Sequence, residues 1–211
     1  MAEMARSFED KLAEQQGEEA AIAEKKRKVE EAKQSGRPQI LNLNEDGMLD
    51  RKIFLDLSES TNARVGRKSQ NQDDMPEVTL GGIGIQQQHA NFVTTGDRTN
   101  LVPSSLEAAE HTYINGRKLT SADPVELKPN DRIIFGTGTC LLYRCQTRDS
   151  EVEMKDDPAN PISYEFAMNE KGKIENEADN IRKEQEKAEA EAKAAAQIAA
   201  LKAEMEAEKA E

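Results

Sequence analysis

The chain has 211 residues, a formal net charge of −12, 33% charged residues, 4% aromatic residues and no tryptophan. This composition suits one modest folded domain flanked by solvated segments, and it excludes a single large core. No run of about 18 apolar residues is present and the N-terminus is charged, so we expect an intracellular chain with no direct membrane insertion.

The negative charge is concentrated towards the C-terminal end. Residues 150–211 hold 17 Asp or Glu against 9 Lys or Arg, which leaves the middle of the chain close to neutral. Binding to nucleic acid needs a clustered basic surface, so nucleic acid is excluded as the main partner. The acidic tail itself is typical of a solvated helix.

The first segment, residues 1–36, has the composition of a helix, and the sequence SGRP ends it because proline cannot donate into a continuing turn. Its apolar side chains recur at helical spacing but are interrupted by glutamine, glutamate and lysine, which predicts a weak coiled coil. The residues that we expect to associate are Phe8, Leu12, Ile22 and Val29.

Residues 37–148 contain short β-like runs separated by turns, from PQILNL to CLLYRC. This pattern of short strands and turns predicts a mainly β core, an antiparallel sandwich of about 10–11 strands, between α-helical flanks. Cys140 and Cys145 are predicted to point to opposite faces of one strand and to stay reduced. The polar stretch 96–110 is predicted to be a mobile surface connection. Alternation along the strands predicts the core residues Ile40, Leu55, Val65, Val78, Leu80, Phe92, Ile114, Leu127, Ile133, Phe135, Leu141 and Tyr143.

Residues 149–165 are expected to form a linker, and residues 166–211 an acidic coiled-coil helix. Its seam has a heptad spacing with many alanines and then changes phase, so the helix buries little area and is a marginal coiled coil by itself. The residues expected to associate are Ile174, Ile181, Ile198, Leu201 and Met205.

The motifs of catalysis and metal binding are missing from the sequence. It has two histidines, no GxxxxGK[ST] phosphate loop, no GxSxG motif and no Cys/His cluster with zinc spacing. The glycine-rich stretches TLGGIG and GTGTC do not lead from a strand into a helix, so we interpret them as turns. We therefore predict no catalytic residue, no metal and no cofactor in this chain, which is typical of a binding or assembly module.

Four motifs of the β region resemble, in order and spacing, a forkhead-associated domain, the β-sandwich that binds phosphothreonine. They are RVGR, the Ile85-to-His89 segment, TYING and DRIIFG. The resemblance implies that Arg67 pairs with phosphate, with Lys68 and Ser69 in the same loop. It also implies that His89 is structural, and we place Gly66 and Gly116 in the same class.

The sequence departs from that family where the ligand would be held. Gln86 stands at the position of a phosphate-binding serine, with Gln87 beside it, and Glu110 stands at the position of the asparagine that holds the peptide backbone. A carboxylate near the phosphate repels it. Asn115 is interpreted as a turn residue on the same face. We therefore predict a degenerate phosphopeptide-like face composed of Arg67, Lys68, Ser69, Gln86, Gln87, Glu110 and Asn115.

Longer stretches resemble a narrower group. PQILNLNEDGMLDRKIFLDL, GGIGIQQQH, HTYINGRKL and NDRIIFGTGTCLLYRC, flanked by SFEDKLAE and PISYEFAMNE, closely resemble the forkhead-associated segment of kinesin-3 motors. The resemblance implies a dimerisation, autoinhibition and docking module at the cytoskeleton, a homodimer through its flanking helices, with the motor domain and adaptor or cargo proteins as partners. Since a P-loop is missing, we expect a segment without the ATPase, which reaches microtubules only through a motor domain that it lacks.

Two alternatives of other classes stay open. One is a phosphothreonine-peptide-binding adaptor in signalling, in which Arg67, Lys68 and Ser69 supply the missing contacts. The other is a structural protein of a microtubule-based assembly, in which the sandwich serves as a docking block.

Overall fold

The computed structural model describes residues 23, 24, 27, 30, 31, 34–152, 154, 156, 157, 159 and 161–208. The described residues between 23 and 31 are helical, as is residue 34, and their side chains are exposed. Phe8, Leu12, Ile22 and Val29 lie outside the described residues, so their association stays a prediction.

The β region forms two sheets packed face to face. The described strands are β1 Gln39–Leu43, β2 Phe54–Asp56, β3 Asn62–Gly66, β4 Val78–Thr79, β5 Ala90–Thr95, β6 Arg98–Pro103, β7 Thr112–Ile114, β8 Arg117–Lys118, β9 Val125–Glu126, β10 Arg132–Phe135 and β11 Thr139–Arg144. Sheet A has the order β2-β1-β11-β10-β7-β8, and sheet B has the order β4-β3-β5-β6-β9. The predicted antiparallel sandwich is confirmed except for β3 and β4, which pair in parallel, so sheet B is mixed.

The predicted core is confirmed, since all twelve residues belong to one cluster between the two sheets. Nine of them are buried, and Leu55, Leu80 and Ile114 are partly buried at its margin. Cys145 belongs to this cluster, whereas Cys140 belongs to a second cluster on the outer side of sheet A. The two free thiols therefore lie on opposite faces of the sheet, as the spacing predicted.

The prediction of a mobile connection over residues 96–110 is wrong. This stretch contains β6 and a short helix, α1 (Leu106–Glu110). Ser105 caps the start of α1, since its hydroxyl accepts from the backbone N–H of Ala108. Gly96 has a φ of 63°, which gives β5 and β6 a tight hairpin turn. Leu101, Ala108 and Ala109 are fully buried, so the segment is part of the core.

The C-terminal helix α2 (Tyr164–Glu208) covers the outer face of sheet A with its first turns. Ala167 is fully buried there, and the backbone of Glu170 lies so close to Gly116 that a β-carbon on Gly116 would be 2.9 Å from it. The guanidinium of Arg132 donates to both carboxylate oxygens of Glu170, at 2.6 and 3.1 Å. Helix α2 therefore begins as part of the folded unit.

Beyond Ile174, helix α2 leaves the sheet. Every side chain described from Glu175 to Ala199 is exposed, including Ile181 at 56% and Ile198 at 54%. Leu201 and Met205 lie within the helix, but their side chains are not described. No helix in the described part of the chain is both long and apolar enough to cross a bilayer.

Candidate functional site

One end of the sandwich is formed by the loops around residues 67–77, 80–89 and 104–111, here called the loop end. The backbone N–H of Arg67 donates to the carbonyl of Gln86 at 3.0 Å, and Arg67 Nη2 donates to the carbonyl of Gly82 at 3.1 Å. A β-carbon on Gly66 would lie 2.0 Å from the carbonyl oxygen of Gln87. Glycine at position 66 thus allows two loops to touch, and the exposed Arg67 side chain is held across them.

His89 lies fully buried beneath the loop end. The Gln86 N–H donates to His89 Nδ1 at 3.1 Å, so the proton is on Nε2. Nε2 then donates to the hydroxyl of Thr112 at 3.0 Å, and this hydroxyl donates to the carbonyl of Ala108 at 2.7 Å. This chain of bonds ties two loops and α1 to a strand.

The protonation state of His89 follows from its burial. Burial, and secondarily the charge of His111, lowers the pKa of His89 to about 4. The imidazole is therefore neutral at neutral pH and keeps the acceptor nitrogen that the Gln86 amide requires. A positively charged ring would place two donors against each other.

The side chain of Gln86 is engaged with Ser105, a residue that the sequence interpretation missed. Ser105 Oγ donates to Gln86 Oε1 at 3.2 Å and also accepts from the backbone of Ala108. The signal available in the sequence was a serine directly before a helical stretch, which is an N-cap pattern.

The other glutamines and the loop after β3 give the loop end a polar surface. Gln86, Gln87 and Gln88 line an open pocket of about 430 Å³ together with Asp74. Lys68 is exposed, whereas Ser69 is 7% exposed and accepts from the backbone of Asn71 at 3.1 Å. This pocket is therefore lined by amides and one carboxylate.

The two remaining predicted residues of the face lie in different places, Glu110 at the loop end and Asn115 away from it. Glu110 is exposed at the end of α1. Asn115 Nδ2 donates to Asp131 at 2.8 Å, and Asn115 Oδ1 accepts from the backbone of Arg132 at 3.0 Å. Because Thr112 at the start of β7 contacts His89, Asn115 lies about 10 Å further along the strand, towards the opposite end of the sandwich.

The arrangement supports binding more than chemistry. The described residues contain no group of three or more His, Cys, Asp or Glu side chains arranged to hold a metal. What the loop end offers is a polar surface with the exposed guanidinium of Arg67 and an open pocket lined by three amides and one carboxylate.

Residues 63–136 match the family model described as FHA domain, which confirms the resemblance to forkhead-associated domains. The central sandwich therefore contains an FHA domain. The curated relatives are kinesin-like proteins, as the longer stretches of the sequence predicted. KIF1B of Rattus norvegicus is 26% identical over 156 residues, which are 71% of this chain and 8% of that protein.

Further relatives give the same result. KIF14 of Homo sapiens is 27% identical over 186 residues, which are 81% of this chain and 10% of that protein. The chain thus spans a tenth or less of the length of these curated relatives. Among solved structures, the FHA domain of CT664 from Chlamydia trachomatis is 22% identical with a TM-score of 0.40, covering 51% of this chain and 95% of that one. The MEK1 FHA domain is 17% identical with a TM-score of 0.43, covering 56% and 98%.

Proposed function

We propose that this chain is a non-catalytic docking, dimerisation and regulatory module of a kinesin-3-like microtubule motor. The observation that carries the proposal is the course of α2, which is fixed to the FHA sandwich by its first turns and then extends with every described side chain exposed. The similarity to kinesin-like proteins supports the kind of protein to which this module belongs.

The first turns of α2, residues 164–173, are here called the root of α2. Because the root is fixed to the sandwich, the extended part of the helix has a defined direction. The bidentate contact between Arg132 and Glu170 and the buried Ala167 hold the first turns against sheet A. Every copy of the chain therefore presents the extended part of α2, with its apolar seam, at the same angle to the sandwich. This favours pairing with another copy, since the ordering of the root is already complete before association.

The extended part of α2 is weakly stabilised by itself. Its described ion pairs, such as Arg182 with Asp179 and Lys187 with Glu191, are exposed and stabilise an isolated helix by only about 0.3–0.5 kcal/mol each. The apolar residues Ile181 and Ile198 are separated by a stretch rich in alanine. A pair of such helices is only marginally stable, which suits a regulated choice between pairing and folding back.

The partners follow from this role. We propose that the module forms a homodimer through its flanking helices, contacts the motor domain of its own protein, and docks adaptor or cargo proteins through the sandwich. Microtubules are reached only through a motor domain. The expected location is the cytoplasm, at the cytoskeleton.

A matched pair of double variants tests the dimerisation. In the full chain, Ile181→Glu with Ile198→Glu places charges on the seam, and we expect multi-angle light scattering to show a monomer where the unaltered chain is a dimer. Ala190→Glu with Gln197→Glu adds the same charge on the side of the helix that faces away from both isoleucines, and should leave the dimer intact. A full chain that is monomeric at every concentration, or equal loss in both variants, would contradict the proposal.

Phosphothreonine-dependent binding is a second candidate function, favoured by the exposed guanidinium of Arg67 at the loop end of an FHA domain. It requires that a phosphothreonine peptide from a library binds about tenfold more tightly than its unphosphorylated form. Arg67→Ala should remove that difference, whereas Lys52→Ala, a distant exposed cation, should keep it. Equal affinity of the unaltered chain for the phosphorylated and unphosphorylated peptides would rule out this candidate function.

A further inference from the structure

The two sheets remain open along one side of the sandwich, where β2 ends sheet A and β4 ends sheet B. These edge strands have only three and two residues, so they are too short to close over the core. Between them lies an open groove of about 390 Å³, here called the edge groove.

The floor of the edge groove is the hydrophobic core itself. Ile40 and Leu141, which are 3% and 4% exposed, form its base, and the partly buried Leu55 and Leu80 line its walls. Ile53 stands at its mouth with 69% of its surface exposed. An apolar side chain that enters the groove therefore meets packed core atoms on several sides, which is the geometry of an anchor pocket.

The charged side chains that line the groove are both negative. Glu45 and Glu77 line it, Asp46 and Asp50 lie in the turn between β1 and β2, and the loop before β4 adds two aspartates. The cations of these segments are Arg51, Lys52, Arg67 and Lys68, and Arg64 lies beside them on β3. Arg51 pairs with Asp156 at 2.6 Å, and Arg64 pairs with Glu77 at 3.1 Å.

The strand edges beside the groove add backbone groups. Among the described residues, β2 pairs only with β1, and β4 pairs only with β3, so each has one outer edge without a strand. An extended segment laid along such an edge alternates its side chains, one set towards the groove and the other towards solvent. The set facing the groove would meet apolar side chains, and the set facing outward would meet carboxylates.

We propose that the edge groove is a second docking site of the FHA sandwich, and that it takes an extended peptide segment with alternating aliphatic and basic residues. The aliphatic side chains fill the groove between β2 and β4, and the basic ones pair with the carboxylates at its rim. Tyr164, the first residue of α2, also lines the groove, so an occupant contacts the root of the helix. Arg67 does not line the groove, and the proposed binding does not depend on phosphate.

Three short synthetic peptides test the proposal on the full chain. The first alternates lysine and valine, the second alternates glutamate and valine, and the third has the composition of the first with its three lysines and three valines in separate blocks. By calorimetry we expect the alternating basic peptide to bind about tenfold more tightly than either of the others. If the blocked peptide binds as tightly as the alternating one, or if none binds, the proposal is overturned.

Two exposed isoleucines provide the matched variants. Ile53→Ser removes a side chain that lines the groove, and we expect it to weaken binding of the alternating basic peptide severalfold. Ile83→Ser changes an isoleucine that is 77% exposed and does not line the groove, so binding should be unchanged. Equal effects of the two variants would contradict the placement.

A charge variant and a loop-end variant complete the test. Glu45→Lys should weaken binding of the alternating basic peptide and strengthen binding of the alternating acidic one. The opposite result, or unchanged binding of both peptides, would contradict the site. Arg67→Ala should leave binding of all three peptides unchanged. Failure of dimerisation leaves these outcomes unaffected, so the two proposals are tested independently.

Discussion

Replacing Gly66 by alanine is expected to lower the free energy of unfolding by about 2–3 kcal/mol. The new β-carbon would lie 2.0 Å from the carbonyl oxygen and 2.8 Å from the carbonyl carbon of Gln87. Both are backbone atoms, so the clash can be relieved only by moving the loop that contains Gln86, whose amide donates to His89. Urea unfolding followed by circular dichroism measures the change.

Gly81→Ala is the matched control, because Gly81 lies in the same group of loops and a β-carbon there has no atom within 4 Å. We expect this variant to stay within about 0.5 kcal/mol of the unaltered chain. If both glycine variants unfold with the same free energy, the contact between the loops after β3 and before β5 does not hold the loop end together.

Replacing Arg132 by alanine is expected to lower the free energy of unfolding by about 3 kcal/mol. The side chain of Arg132 is only 6% exposed, and its guanidinium binds both carboxylate oxygens of Glu170 while it also stacks 5.6 Å from the centre of the Phe166 ring. The change leaves the Glu170 carboxylate, which is 21% exposed, without its cation against the face of sheet A. Urea unfolding gives the free energy, and hydrogen exchange over residues 164–173 shows whether the root of α2 is released.

Arg182→Ala is the control for this variant. Arg182 also pairs with carboxylates on α2, those of Asp179 and Glu186, but its side chain is 66% exposed. Exposed pairs contribute little, so a change below about 0.5 kcal/mol is expected. Similar losses in the two arginine variants, or protection over residues 164–173 that is unaltered by Arg132→Ala, would contradict the docking of α2 on the sandwich.

The core could be predicted from the sequence because strand alternation is a local signal. Ile133 and Phe135, two residues apart on β10, face the same cluster, whereas Ile134 between them faces the outer cluster under α2. Cys140 and Cys145 separate for the same reason. Such assignments need only the position of a residue in its own strand.

Features that depend on distant contacts were not predictable in this way. The parallel pairing of β3 with β4 joins strands across a loop, and nothing in two residues of β4 indicates its direction. The serines and charges of the polar stretch 96–110 predict a connection because they hide two local signals, the Gly96 turn and the Ser105 helix cap. Both contribute to a buried segment only because Leu101 and the alanines of α1 meet the rest of the core.

In the candidate site, too, local sequence signals predict some features, and contacts between distant residues determine the others. The motif order in the sequence places Arg67 and His89 in neighbouring loops, and they lie on either side of the Gln86 backbone in the structure. The sequence also predicts Asn115 on the same face, but the direction of β7 carries it towards the opposite end. The contact of Arg132 with Glu170 spans 38 residues and has no local signature.

The proposed pairing of α2 is tested most directly by the mass of the chain in solution. Multi-angle light scattering across concentration would compare the full chain with a chain that ends at Ile174, which keeps the docked turns of α2 but lacks its exposed part. Our account predicts that the full chain approaches twice the monomer mass as concentration rises, while the shortened chain stays monomeric. A full chain that remains monomeric, or a shortened chain that dimerises equally well, would contradict it.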